Sequence, residues 1–107
     1  MFKGEKYITS GILQKIPLRL VSILYDKIYL LNKKINLDYL QVFDVKTDFI
    51  NDEYFYIISH KQENPNYKIK YKILKKLNEP IIDEKIYIIN SDVEQYSYST
   101  VLLAEEY

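Results

Sequence analysis

The chain has no cysteine, no tryptophan, one histidine, two glycines and three prolines among its 107 residues. Each shortage closes off a class of chemistry. Without cysteine there is no disulfide, no thiolate nucleophile and no zinc–thiolate centre, a composition that suits a reducing compartment. Without a second histidine, no multi-histidine zinc site can form. Gly4 and Gly11 alone cannot build a P-loop or a dinucleotide fingerprint, and no Gly-x-Ser-x-Gly elbow is present. Long apolar runs are missing too. The stretch "YFYII" is far shorter than the roughly 20 residues that cross a bilayer, and "MFKGEKYITSG" has no signal-peptide core. A cytoplasmic protein without a membrane partner and without a cofactor is the expectation.

What remains is ordinary globular material, 48% hydrophobic and 28% charged. Chains poor in aromatic and β-branched residues stay disordered; this one is rich in isoleucine and tyrosine. Its length suits one domain and not two, so residues 1–107 are read as a single unit. Lysine outnumbers arginine fourteen to one, a skew that an AT-rich genome produces by itself. Net charge is zero, yet the charge is unevenly spread: residues 61–76 carry six lysines against Glu63, and residues 77–107 carry Lys85 against seven acids. Either the two stretches neutralise each other within one sheet, or they make a bipolar surface that docks a charged partner or a second copy.

The hydrophobic period changes along the chain. "KYITSGI" reads as a first strand. Pro17 suits the first turn of a helix, where a missing N–H is tolerated, and Leu20, Val21, Leu24, Ile28 and Leu31 then recur at helical spacing, which predicts an amphipathic helix over 17–34. After it the period falls to two. "DYLQVFDV", "EYFYIISH", "YKIKYKI", "EKIYIIN" and "SYSTVLLAEEY" read as strands, with "QENPN" turning a hairpin across 54–73 and a loop near "SDVEQ". In the third of these, Tyr67, Ile69, Tyr71 and Ile73 alternate with Lys68, Lys70 and Lys72, the mark of an antiparallel strand with one wet face. The predicted fold is α+β: one helix packed on a mostly antiparallel sheet of five or six strands, in the order β-α-β-β-β-β-β. "YFYII" is apolar on both faces, which predicts a central strand with its second face covered, for example by a homodimer partner.

Six pieces in this order, "YITSGI", "IPLRL", "LDYLQVFDV", "HKQENPNY", "PIIDEKIYII" and "STVLLAEEY", resemble a bacterial family known as domain of unknown function 960, small proteins found mainly in Firmicutes. The resemblance runs from about Tyr7 to Tyr107. It implies a compact single domain and directs attention to His60, Gln62, Glu63, Pro65 and Tyr67. At Ser10 the chain departs from the family pattern, which usually has arginine there. The resemblance assigns no activity.

Candidate sites follow from residue type. His60 has the chemistry of a general base or ligand, with Glu63 nearby in sequence. The alternative is that His60 and Gln62 share a strand face and bond cross-strand neighbours while Asn64 and Pro65 shape the turn. Asp83 and Lys85 form an Asp-x-Lys pair of the kind used by metal-dependent nucleases, with Asp44 or Asp52 as an upstream acid. Lys68, Lys70 and Lys72 form a basic stripe fit for nucleic acid, although Tyr67 and Tyr71 face away from it and alternating lysine also protects sheet edges. Glu105 and Glu106 offer an acidic C-terminus. The leading expectation is a non-catalytic binding protein whose charge-segregated sheet docks a macromolecule, foremost a protein. The alternatives are an inhibitor of a bacterial defence nuclease of the anti-CRISPR or anti-restriction type, a nucleic-acid-binding protein, and a metal-dependent nuclease.

Overall fold

The computed structural model describes residues 1–107. Its elements in chain order are β1 (Glu5–Ile8), α1 (Ser10–Lys15), α2 (Leu18–Asn32), β2 (Leu40–Ile50), β3 (Glu53–Gln62), β4 (Tyr67–Leu74), β5 (Asp83–Val93) and β6 (Tyr96–Leu103), followed by a short 3-10 turn, Ala104–Glu106. The α+β class holds and each predicted strand has a counterpart, although the last ends at Leu103 and not at Tyr107, and there are two larger differences. A second helix is present, and the sheet is mixed.

The extra helix, α1, lies where a continuing strand was expected. Thr9 initiates it: the backbone is extended at this residue, and its hydroxyl accepts from the Ile12 N–H at 3.3 Å. The helix stops at Ile16, which is extended because the following proline disfavours the helical region. Pro17 is therefore not the first residue of α2 but its cap. Its carbonyl accepts from the N–H groups of Leu20 and Val21. From there α2 buries Leu20, Val21, Leu24, Tyr25, Ile28 and Leu31, one stripe of an amphipathic helix.

The strands form one sheet in the order β1-β6-β5-β2-β3-β4. All neighbouring pairs are antiparallel except β1 with β6, which run parallel, Glu5 opposite Tyr98 through Ile8 opposite Val101. The strand "YFYII" is thus not central: β3 lies one in from the β4 edge, and β2 and β5 hold the middle. The expected loop near "SDVEQ" shrinks to a tight turn, because Ser91, Asp92 and Val93 still pair with β6.

Alternation decides which side chains meet the helices. Phe43 and Val45 of β2, Tyr56 and Ile58 of β3, Ile86 and Ile88 of β5, and Val101 and Leu103 of β6 point to the helical side, and together with α1 and α2 they form the core. Burying a side chain of this size stabilises by about 1.5–3 kcal/mol, so this layer holds the helices to the sheet. Tyr56 also donates its hydroxyl to the Pro80 carbonyl at 2.7 Å. Burial pushes that phenol up to about 12, so it stays a donor through the neutral range.

Gly4 makes the N-terminal approach feasible. A Cβ at this position would lie 1.8 Å from the Ser97 carbonyl oxygen, a clash with backbone that cannot rotate away. Gly4→Ala is expected to lower stability by about 1–3 kcal/mol, as overpacking does, with early hydrogen exchange confined to β1. An unchanged urea midpoint would contradict this close approach.

Candidate functional site

His60 and Gln62 lie on the helical side of β3 with Tyr56 and Ile58, and both are buried. They are not a surface, as the sequence reading had allowed, but the centre of a polar network. The Gln62 amide donates to the carbonyls of Asn36 and Pro65 and accepts from the Asp38 N–H and from Gln41. Gln41 uses both amide protons, on Gln62 at 2.7 Å and on the Asp38 carbonyl at 2.9 Å. Its oxygen must therefore accept from His60 Nε2, at 2.6 Å, which places the imidazole proton on Nε2. Nδ1 is then a bare acceptor without a partner. Phe43 stacks on the ring at 4.2 Å. In this dry setting burial lowers the histidine to about 4, so the ring is neutral at pH 7. The network ties the α2–β2 loop to the β3–β4 turn, where the Asn64 N–H reaches Asp38 Oδ2. Glu63 is exposed in that turn and is not joined to His60.

The C-terminal acids also have partners. Glu106 accepts from the Thr9 hydroxyl at 2.7 Å and from the N–H groups of Gly11 and Leu103, and those bonds hold its carboxyl below the usual range. Glu105 pairs with Lys15 at 2.9 Å. The two ends of the chain are thereby joined, with Ser10 exposed beside the junction. Neither acid is a free docking group. Elsewhere in the acidic stretch, Glu84 also pairs with Lys15, and Glu79 with Arg19. Acid and base do not neutralise each other between β4 and β6, because those strands are separated by three others.

The other face of the sheet is covered by neither helix. Register and alternation place Lys68, Lys70 and Lys72 of β4 on it, together with Lys61 of β3, Lys46 of β2 and Lys85 of β5. None of these six is ion-paired; the molecule's ion pairs all involve Lys15 or Arg19. Asp44, Asp48 and Asp83 share the face. A shallow depression of about 610 Å³ lies between Lys46, Lys68 and Lys70, floored by Ile57 and Ser59, with Asp44 and Asp48 along its β2 side. Lys72 lies over the Phe55 ring, 4.8 Å from its centre, which covers that ring and leaves Ile57 partly exposed on the second face of β3. Tyr67 and Tyr71 are on the helical side, as expected, and Lys27 caps the Tyr71 ring at 3.9 Å.

The Asp-x-Lys pair falls on this face in a checkerboard: Asp83 stands opposite Lys46, and Lys85 opposite Asp44. Asp44 is thus a cross-strand neighbour of the pair. Asp52 lies in the β2–β3 turn beyond the Ile50–Glu53 rung, about 20 Å farther along the strand at about 3.3 Å per residue. No group of three or more His, Asp or Glu side chains is placed to hold a metal ion.

At the far end of the same face is a feature that sequence reasoning missed. Tyr96 and Tyr98 of β6 and Tyr7 of β1 share one side. Tyr7 and Tyr98 meet edge to face at 5.4 Å, and Tyr96 leans on Tyr98 at 6.4 Å. With Val93 and Thr100 they border a depression of about 390 Å³, and Tyr96 is 62% exposed. The signal was available in "YSYS", where tyrosines alternate. The open face therefore runs from lysines at β4 to tyrosines at β6 and β1, with partly exposed Ile57 and Ile89 between them.

A solved structure from Enterococcus faecalis, described as a protein of unknown function, superposes with a TM-score of 0.71 at 22% identity, covering 100% of this chain and 98% of that one. At that identity the likeness establishes the fold. Comparison with curated proteins returned no match. No helix is long and apolar enough to cross a membrane. The family model described as Staphylococcal protein of unknown function (DUF960) matches residues 5–106, the whole sheet and both helices, and the chain belongs to that family.

Proposed function

We propose that the protein is a small non-catalytic binding protein that holds an anionic macromolecule on the open face of its sheet. The observation that supports this reading is the group of six lysines on a face covered by neither helix, none of them ion-paired and outnumbering the three aspartates that share the face, while Glu79, Glu84, Glu105 and Glu106 are engaged with Arg19, Lys15 and the start of α1. Lysines without partners on one face raise the local potential and steer anionic ligands toward it. His60 has no part in this surface. Its role is to fix the β3–β4 turn from which the lysine strand departs.

The test is titration with two polyanions, oligouridine and poly-glutamate, over about 50–200 mM salt. Binding of at least one is expected, steeply weakened by salt. It should be abolished in Lys68→Glu/Lys70→Glu/Lys72→Glu and retained in Lys27→Glu/Lys33→Glu/Lys34→Glu, which makes the same charge change on and beyond α2. Equal losses in the two triple variants would reduce the effect to bulk charge and overturn the proposal, as would binding of neither polyanion.

A further inference from the structure

We infer that the occupant of the open face is a single-stranded nucleic acid, which crosses the sheet from the lysines of β4 to the tyrosines of β6 and β1; this rests on the proposed reading and narrows it to one class of partner. The face is divided in a way that matches a nucleotide chain. At one margin Lys68 and Lys70 border a polar depression. Four strand spacings away, about 19 Å across the sheet, the surface becomes aromatic, with Tyr7 half exposed and Tyr96 more so.

Phosphates suit the lysine margin. They do not suit the tyrosine margin, where the Glu5 carboxylate accepts from the Tyr7 hydroxyl at 2.6 Å and would repel them. Uncharged flat groups suit it well. The edge-to-face packing of Tyr7 on Tyr98 props the rings against each other on a face that no helix covers, and a nucleobase stacks on such a ring whatever its identity. A polynucleotide carries both kinds of group on every residue, whereas an acidic peptide satisfies the lysines and leaves the tyrosines to chance contacts. A duplex is excluded by the same geometry, because its bases are already stacked on each other and a flat sheet cannot reach them. Single strands present unstacked bases that aromatic side chains on a sheet can take. Because these contacts come from lysine and the bidentate guanine contact is an arginine habit, no base selectivity is expected.

The experiment is fluorescence anisotropy with labelled oligouridine, a duplex of the same length, and poly-glutamate as competitor. Oligouridine is expected to bind at least about tenfold more tightly than the duplex, with a salt slope that Lys70→Gln reduces by about 0.7. Tyr96→Ala should weaken binding about 5- to 100-fold at an unchanged salt slope. Tyr96→Phe, which keeps the ring, should stay within about twofold of the parent and shows that any loss in the alanine variant is loss of stacking and not of folding. Equal affinity for duplex and single strand, or a silent Tyr96→Ala, would overturn the inference by reducing it to contact with the backbone. Binding of poly-glutamate alone would also overturn it and leave the proposed function standing, with an acidic protein as partner. If neither ligand binds, both readings fall.

Discussion

Replacing Phe43 by alanine is expected to lower the unfolding free energy by about 3–5 kcal/mol. The ring is fully buried in the middle strand pair, between Ile86 of β5 and His60 of β3. It also forms the apolar lid of the polar network, stacked on the imidazole at 4.2 Å. Truncation removes the transfer energy of the ring and leaves a cavity beside a strand ladder that cannot collapse to fill it. It further exposes His60 Nδ1, the one buried side-chain acceptor without a partner, to any water that enters. A small domain is stable by only about 5–15 kcal/mol, so the urea midpoint should fall by about a fifth or more. A loss below about 1 kcal/mol would mean that Phe43 is not the keystone its position indicates.

Acid is expected to destabilise the protein through His60, and the size of the effect can be isolated. The folded ring titrates near 4 because burial disfavours its charged form, against about 6.5 in an unfolded chain. Between those values the unfolded chain holds a proton that the folded chain does not, so stability falls as the pH falls. The contribution is fully present above pH 6.5, is lost progressively below it, and reaches its limit near pH 4. At 1.36 kcal/mol per unit the loss is about 3 kcal/mol. Glu79 and Glu106, both held low by hydrogen-bonding partners, add losses of the same sign at the acidic end. Subtracting the curve of a His60→Gln variant removes them. That variant is less stable at pH 7, having lost the stack on Phe43, but its disadvantage should shrink by about 3 kcal/mol by pH 4. Parallel stability curves for the two proteins would contradict a neutral, buried imidazole.

The sequence carried some of this and not the rest, for reasons of range. The stripe of Leu20, Val21, Leu24, Ile28 and Leu31 repeats within a few turns, so α2 was legible to within two residues at its C-terminal end. The alternation of lysines with Tyr67, Ile69, Tyr71 and Ile73 survives in β4 for the same reason. Burial of His60 was within reach as well, since it falls in step with Tyr56 and Ile58, which any half-buried strand would turn inward. What escaped depends on long-range meetings. The start of helix α1 was read into the first strand because Ile8 and Thr9, just before it, are β-branched; that start is held by Glu106, 97 residues away from Thr9. The parallel pairing of β1 with β6 joins the two ends of the chain, and no local period encodes it. That pairing sets Tyr7 beside Tyr98, and without it the tyrosines of the open face read as scattered residues.

The pieces that carried the family resemblance fall at these junctions. Asp38, Gln41 and Phe43 come from one, and His60, Gln62 and Pro65 from another; they meet in the buried network. Thr9, Gly11 and Glu106 come from the first and last pieces and close the fold. These residues build the scaffold. The surface proposed to bind is made of others, chiefly the β4 lysines and the β6 tyrosines.

The most direct measurement is a map of backbone amide shifts as oligouridine is added to the isotopically labelled protein. The open-face reading predicts perturbations concentrated on β4, β3 and β6, at Lys68, Lys70, Tyr96 and Tyr98 and their ladder neighbours, with α1 and α2 silent. Perturbations centred on the exposed side of α2, with the lysine strand unmoved, would contradict it.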